Sequence, residues 1–258
     1  MSDTVLLKVS GLTKSFGGVE AVRDCSFSVQ EGSITGLIGS NGAGKSTTVN
    51  LISGFHKPDR GSVRFADEEM VGHSPDQIAA RGMIRTFQTT REWGSLTVME
   101  NMLVAAPSRG RDSVWRSLFT PRAIARSDRE DRRTARSILG EIGLLGLRDH
   151  RAGELSGGQK RLLEFARIMM ARPRLALLDE PLAGVNPVLA ERIDHAVGYL
   201  RSSGITLLII EHNLGFVEAV CDTAVVMALG TAIATGHMDE LRKSPAVVDA
   251  YLGVATVA

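Results

Sequence analysis

The stretch Gly39-Ser40-Asn41-Gly42-Ala43-Gly44-Lys45-Ser46-Thr47 has the residue types and order needed to hold a chain of phosphates. It fits the pattern G-x-x-x-x-G-K-[ST], with Gly39, Gly44, Lys45 and Ser46 on the fixed positions. Glycines let backbone N–H groups converge on phosphate oxygens without Cβ clashes. A helix starting behind them aims its positive dipole end at the same anion. Lys45 can reach the β- and γ-phosphates, and the Ser46 hydroxyl can ligate Mg²⁺. The competing explanation is a Gly-rich turn between a strand and a helix. On its own the pattern supports binding of a nucleoside triphosphate and is silent on what hydrolysis would drive.

Three further groups could act on such a ligand. Leu175-Ala176-Leu177-Leu178 is an apolar run that ends in Asp179-Glu180-Pro181. A buried strand ending in two carboxylates suits a metal-binding terminus: Asp179 for Mg²⁺ through water, Glu180 to polarise attacking water. Either could instead cap the following helix, since acids favour helix N-termini. His212 follows another apolar run, Thr206 to Ile210, and could donate to a γ-phosphate or be structural. Leu155-Ser156-Gly157-Gly158-Gln159 opens a helix with two glycines, a second backbone anion site or an ordinary Ser N-cap. Such a second site is surplus in a monomer and makes sense if it binds the nucleotide of another subunit.

The elements that must place these groups are readable from periodicity and turn residues. Val5 to Val9 and Cys25 to Val29 read as strands separated by Gly17-Gly18. Phe16, between them, read alone is a core residue more often than a ligand contact. Ile34 to Ile38 is a short buried strand, and Ser46 to Ser53 a helix. Gly61 to Phe65 is a strand, Pro75 to Arg81 a helix, Ile84 to Gln88 a strand, and Thr97 to Ala105 a helix with Thr97 as N-cap. The Arg-rich stretch Pro107 to Arg136 reads as a short helix and then a longer one from Pro121. Its mixed charges favour a solvated face over a lipid or partner contact. A long helix runs through Lys160 to Ala171 and a further one from Pro187 to Ser203. Asp222 to Ala228 and Thr231 to Thr235 form a hairpin around Leu229-Gly230.

Composition removes several function classes. The chain has 258 residues and a formal net charge of +1, so no global polycation points to nucleic acid. No apolar run approaches the ~20 residues of a membrane span, and no secretory signal pattern opens the chain. Cys25 and Cys221 are too few for a disulfide framework and lack metal-ligand spacing.

Taken together, these motifs make the sequence resemble the ATP-binding-cassette ATPases over nearly the whole chain. Gly39 to Thr47 looks like their Walker A motif, Leu155 to Gln159 like their signature motif, and Leu175 to Glu180 like Walker B with its glutamate. Gln88 falls where the family has its Q-loop glutamine, His212 at the switch histidine, and Phe16 at the aromatic that stacks on adenine. The resemblance implies a P-loop (RecA-like) α/β core with an antiparallel β subdomain and a helical subdomain. All would lie in one nucleotide-binding domain over 1–258, the helical part at approximately 89–153. It implies ATP and Mg²⁺ as ligands, with Ser46, Gln88 and Asp179 toward the metal and Lys45, Gln88, Glu180 and His212 in catalysis. The nucleotide would contact Phe16 and Gly39 to Thr47, with Ser156, Gly157, Gly158 and Gln159 closing over it from a second subunit, identical or paralogous.

One departure is visible. The family often has Ser-Ala-Leu-Asp after Walker B, whereas here Leu182-Ala183-Gly184-Val185-Asn186-Pro187 puts Asn186 in place of the acid. That variant is similar to the cassettes of high-affinity branched-chain amino-acid importers. Arg85-Thr86-Phe87-Gln88, Leu96 to Asn101, Glu211-His212-Asn213 and Ala250-Tyr251-Leu252-Gly253 share the likeness. The expectation is an ATPase subunit at the cytoplasmic face of a membrane. It would be paired with transmembrane permeases and, indirectly, a substrate-binding protein, with no nucleic acid. Related cassettes serve urea, short amides or lipopolysaccharide export, and a soluble non-transport cassette protein is the remote alternative.

Overall fold

β-Formers on either side of Gly17-Gly18 build a long hairpin, β1 (Val5–Phe16) and β2 (Val19–Gln30). The structure is a computed structural model that describes residues 4–86, 93–107 and 121–252, with side chains undescribed in 121–127 and 250–252. Next come β3 (Ile34–Gly39), α1 (Lys45–Ile52), β4 (Arg60–Phe65), β5 (Glu68–Glu69), α2 (Pro75–Ala80) and β6 (Met83–Arg85). After α3 (Val98–Ala105), α4 (Pro121–Glu141) and α5 (Gly157–Ala171), the chain continues with β7 (Leu175–Asp179), α6 (Pro187–Ser202) and β8 (Thr206–Ile210). It ends in α7 (Leu214–Val220), the hairpin β9 (Thr223–Ala228) and β10 (Thr231–Gly236), α8 (Met238–Leu241) and α9 (Pro245–Leu252).

The chain divides into two compact units. One comprises Met1–Gln88, Arg174–Ala183 and Val197–Ala258 and holds two sheets. The first is antiparallel, in the order β2-β1-β4-β5. The second has the order β10-β9-β3-β8-β7-β6, with β9, β3, β8, β7 and β6 mutually parallel. β3, β7 and β8 are buried along their whole length, as continuous apolar runs in a covered parallel sheet require. α7 packs on β3 so closely that a Cβ on Gly36 would stand 2.9 Å from Val217 and 3.3 Å from Cys221. The other unit, Thr89–Pro173 with Gly184–Ala196, is helical, with α3 packed on both α4 and α5. No helix among the described residues is long and apolar enough to cross a membrane.

Burial raises the Cys25 thiol to about 11. Burial, with the Asp222 carboxylate adding, raises Cys221 to about 12. Neither thiol is a thiolate near neutral pH, so both are inert in the folded chain. Reaction with a disulfide reagent at about pH 8 is expected to run more than about 100-fold slower than for a free thiol until denaturant opens the fold.

Local departures from the sequence expectations have physical causes. β1 and β2 run well beyond the alternating segments because register shifts at Val9/Leu12 and Leu12/Lys14 interrupt the alternation without ending the pairing. α5 begins at Gly157, where the Ser156 cap read from the sequence puts it. β6 stops at Arg85, and Thr86 leaves the strand. Phe87 and Gln88 lie outside the described residues, as does 108–120, the stretch of the expected short helix.

Candidate functional site

Three neighbouring parallel strands deliver the site. β8 lies between β3 and β7, and Ile210 at its end pairs with Leu37 on one side and Asp179 on the other. The loops after β3, β7 and β8 therefore emerge side by side at the carboxyl ends of the strands, where open α/β sheets bind ligands. They carry Gly39 to Thr47, Asp179-Glu180 and His212.

The first loop is shaped by what it packs against. A Cβ on Gly39 would stand 2.2 Å from the Met227 carbonyl oxygen, and one on Gly44 2.5 Å from that of Ala21. The two fixed glycines thus let the loop lie directly on β9 and β2. Gly44 adopts a left-handed conformation (φ 95°) at the N-cap of α1. Lys45 folds back into the loop, its Nζ donating to the carbonyls of Gly39 (2.8 Å) and Ser40 (3.0 Å). Burial pushes the Lys45 ammonium below its usual range, and the Glu180 and Asp179 carboxylates oppose that shift. Asn41, Gly42 and Ser46 are exposed, Ser40 and Thr47 half-buried, and Ala43 is buried.

At the end of β7, Asp179 is buried and its Oδ2 accepts from Arg85 Nη2 at 2.7 Å. Its N–H donates to the buried Thr86 Oγ1 (3.0 Å). The other oxygen, Oδ1, is buried and has no hydrogen-bond partner among the described residues. An orphaned carboxylate oxygen is costly unless a cation or its hydration water uses it. With the Ser46 hydroxyl, this donor set is all oxygen, which fits Mg²⁺. Glu180 is half-buried and departs from strand geometry, with φ 45° in the left-handed region. A non-glycine residue there carries on the order of 1 kcal/mol of strain, and such strain clusters at functional sites. The next helix, α6, begins only at Pro187, so neither carboxylate caps it. His212 is exposed, with Nδ1 3.9 Å from Glu180 Oε1.

Glu211 enters the sequence reading only as part of a likeness, yet it organises the site. It is 1 % exposed, and its carboxylate accepts from the N–H groups of Leu182 (2.9 Å), His212 (3.1 Å) and Asn213 (3.3 Å). One side chain thereby ties the loop beyond Glu180 to the loop that carries His212. Phe16 is 43 % exposed at the end of β1, which removes the core reading. Its ring meets His56 edge-on, with centroids 5.4 Å apart, and Lys14 Nζ lies 5.5 Å from its centre. Nothing in the spacing marks His56 or Lys14 as neighbours of that ring.

The Ser-Gly-Gly-Gln segment is built in the helical unit. Ser156 Oγ accepts from the Gln159 N–H (3.3 Å) while Gln159 Oε1 accepts from the Ser156 N–H (2.9 Å), a reciprocal capping box on α5. Ser156 and Gly157 are exposed, and a Cβ on Gly157 would meet open space. A Cβ on Gly158 would press on Leu189 Cδ2 at 3.0 Å. Asn186 accepts from the Leu189 N–H (2.9 Å) at the start of α6, filling without charge a capping role that an acid could also fill. Gln88 lies outside the described residues.

The ABC transporter family model matches residues 22–183. The high-affinity branched-chain amino acid transport ATP-binding protein BraF of Pseudomonas aeruginosa is 40% identical over 251 residues, covering 97% of this chain and 98% of that protein. The probable branched-chain amino acid transport ATP-binding protein LivG of Methanocaldococcus jannaschii is 40% identical, covering 98% of this chain and 100% of the relative. Among solved structures, a nucleotide-free ATP-binding cassette from an ABC transporter matches with a TM-score of 0.79 at 38% identity, covering 96% and 99% of the two chains. The ADP conformation of an ATP-binding cassette of an ABC transporter matches with a TM-score of 0.78 at 37% identity, covering 97% and 99% of the two chains.

Proposed function

The chain belongs to the ABC transporter family as one of its ATP-binding, ATP-hydrolysing cassettes, and from that premise we propose that it powers import of branched-chain or closely related amino acids. The observation that carries the catalytic part is the convergence of Lys45, Asp179, Glu180 and His212 on adjoining strand ends behind an intact phosphate loop. The cargo rests on relatives such as BraF, whose names give branched-chain amino acid transport.

In this reading the Gly39 to Thr47 backbone cradles the phosphates, and Lys45 exchanges the loop carbonyls for β- and γ-phosphate oxygens. Phe16 presents its open face to the adenine. Ser46 and Asp179, with Gln88, would hold Mg²⁺, which would supply charge neutralisation on the phosphate oxygens when bound. Glu180 accepts the proton of the attacking water, and His212 donates to the γ-phosphate. Catalysis is then chiefly positioning and charge stabilisation. Ser156 to Gln159 of a second cassette close the site, so turnover belongs to a dimer bound at the cytoplasmic face of permease subunits fed by a binding protein.

The test is phosphate release from ATP by the purified chain, then by the chain reconstituted with its permeases and binding protein in vesicles. Mg²⁺-dependent release, stimulated by leucine with uptake of labelled leucine, is expected. No release would remove the ATPase mechanism, and release coupled to urea or amides alone would remove the cargo.

A further inference from the structure

Arg85, at the end of β6, is a largely buried cation that the proposed chemistry does not account for. Its Nη2 binds Asp179 Oδ2 at 2.7 Å, and the two side chains are 9 % and 5 % exposed. Nη1 of the same guanidinium binds Asn50 Oδ1 (2.5 Å) and Ser53 Oγ (3.2 Å), both at the far end of the helix that begins with Lys45 and Ser46. The Arg85 guanidinium carbon lies 5.7 Å from the centre of the Phe55 ring. One planar cation thus spans α1, β6 and β7.

We propose that Arg85 is a positioning residue for the metal, holding Asp179 by one oxygen so that the other is fixed for Mg²⁺ and its hydration shell. The inference rests on Asp179 being a metal-facing acid. The geometry favours it over a purely fold-holding ion pair for two reasons. A buried ion pair gains little for stability over apolar residues of the same volume. An acid meant only to pair with Arg85 is free to use both oxygens in a bidentate fork, whereas Asp179 Oδ1 is buried and has no hydrogen-bond partner among the described residues. The anchoring on Asn50 adds a second consequence. The guanidinium sets Asp179 against the same rigid helix that carries Ser46, so the two metal-facing oxygens are held in one frame. Lys in place of Arg keeps the charge but cannot reach three acceptors in one plane.

The test is equilibrium binding of a non-hydrolysable ATP analogue to the full chain, first in EDTA and then across a range of free Mg²⁺. In the wild type Mg²⁺ tightens binding. For Arg85→Lys the EDTA affinity is expected to stay within about two-fold, while the Mg²⁺ needed for half the tightening rises at least about ten-fold, as when other groups orienting a metal ligand are changed. Asn50→Ala should shift the same midpoint in the same direction by less. An unchanged Mg²⁺ midpoint in Arg85→Lys, or EDTA and Mg²⁺ affinities falling together, overturns the inference. Arg85→Met, which strands the Asp179 charge, is the stronger variant, but Arg85→Lys decides if that chain does not fold. A wild type indifferent to Mg²⁺ would instead overturn the metal reading itself, and this inference with it.

Discussion

Glu180→Gln is expected to lower steady-state ATP turnover by on the order of 10²–10³-fold while ATP affinity stays within about two-fold of wild type. The exchange keeps the size and planarity of the side chain, and the backbone contacts survive it. The Glu180 N–H still donates to the Ile210 carbonyl (2.9 Å), and its carbonyl still accepts from Ala183 (3.0 Å). The residue keeps its left-handed turn, because the amide makes no new demand on φ. What is lost is an acceptor basic enough to take a proton from water. The Lys45 Nζ hydrogen bonds to the Gly39 and Ser40 carbonyls are left in place by the exchange, so the phosphates should bind nearly as before. If the signature of a second copy closes over bound ATP, unhydrolysed nucleotide should hold the pair together. Size-exclusion chromatography in ATP and Mg²⁺ would then show a dimer for Glu180→Gln that wild type forms only transiently. Turnover close to wild type would dismiss Glu180 as the base, and His212 would be the next group to test.

The phosphate loop, the Asp179-Glu180 strand end and the Ser156 cap were legible because each is a short run in which spacing along the chain equals spacing in space. The order of the strands was not, since nothing local says that β8 separates β3 from β7. Arg85 and Glu211 show a related limit. Arg85 meets Asp179 across 94 residues, and Glu211 meets Leu182 across 29. Neither partnership leaves a period or a motif in the sequence. Glu180 illustrates a third. Side-chain identity predicts left-handed backbone for Gly and Asn, not for a residue forced into it by the turn at the end of a buried strand, so its positive φ was hidden. The capping box at Ser156 was the reverse case, fully local. It fixed the start of α5 while leaving open whether the same N-terminus also meets a nucleotide. Local chemistry therefore located the participants, and long-range packing decided how they are held.

The same packing makes Gly39 the most sensitive position in the phosphate loop. Gly39→Ala puts a methyl 2.2 Å from the Met227 carbonyl and 3.1 Å from the Ala43 Cβ. Met227 cannot move aside alone, because it is the residue of β9 that pairs with Gly39, next to the Ile38–Val226 pair in the middle of the sheet. Either β3 and β9 part at their ends or the loop lifts away from β9. The first route breaks buried ladder bonds and the second moves the N–H groups that would face phosphate. A loss of about 3 kcal/mol is expected, which for a chain of this length lowers the melting temperature by about 6–12 °C. ATP affinity should fall more than about ten-fold, because about 1.4 kcal/mol of misdirected phosphate contact suffices for that factor. Gly42→Ala provides the internal contrast. Gly42 also has a positive φ (81°), but a Cβ there would meet nothing within 4 Å. Its cost should be limited to about 1 kcal/mol of backbone strain. Calorimetry and nucleotide titration on the two variants separate steric exclusion from conformational strain. If Gly39→Ala melts and binds like Gly42→Ala, the loop does not depend on its close approach to β9, and the glycine is needed only for its backbone freedom.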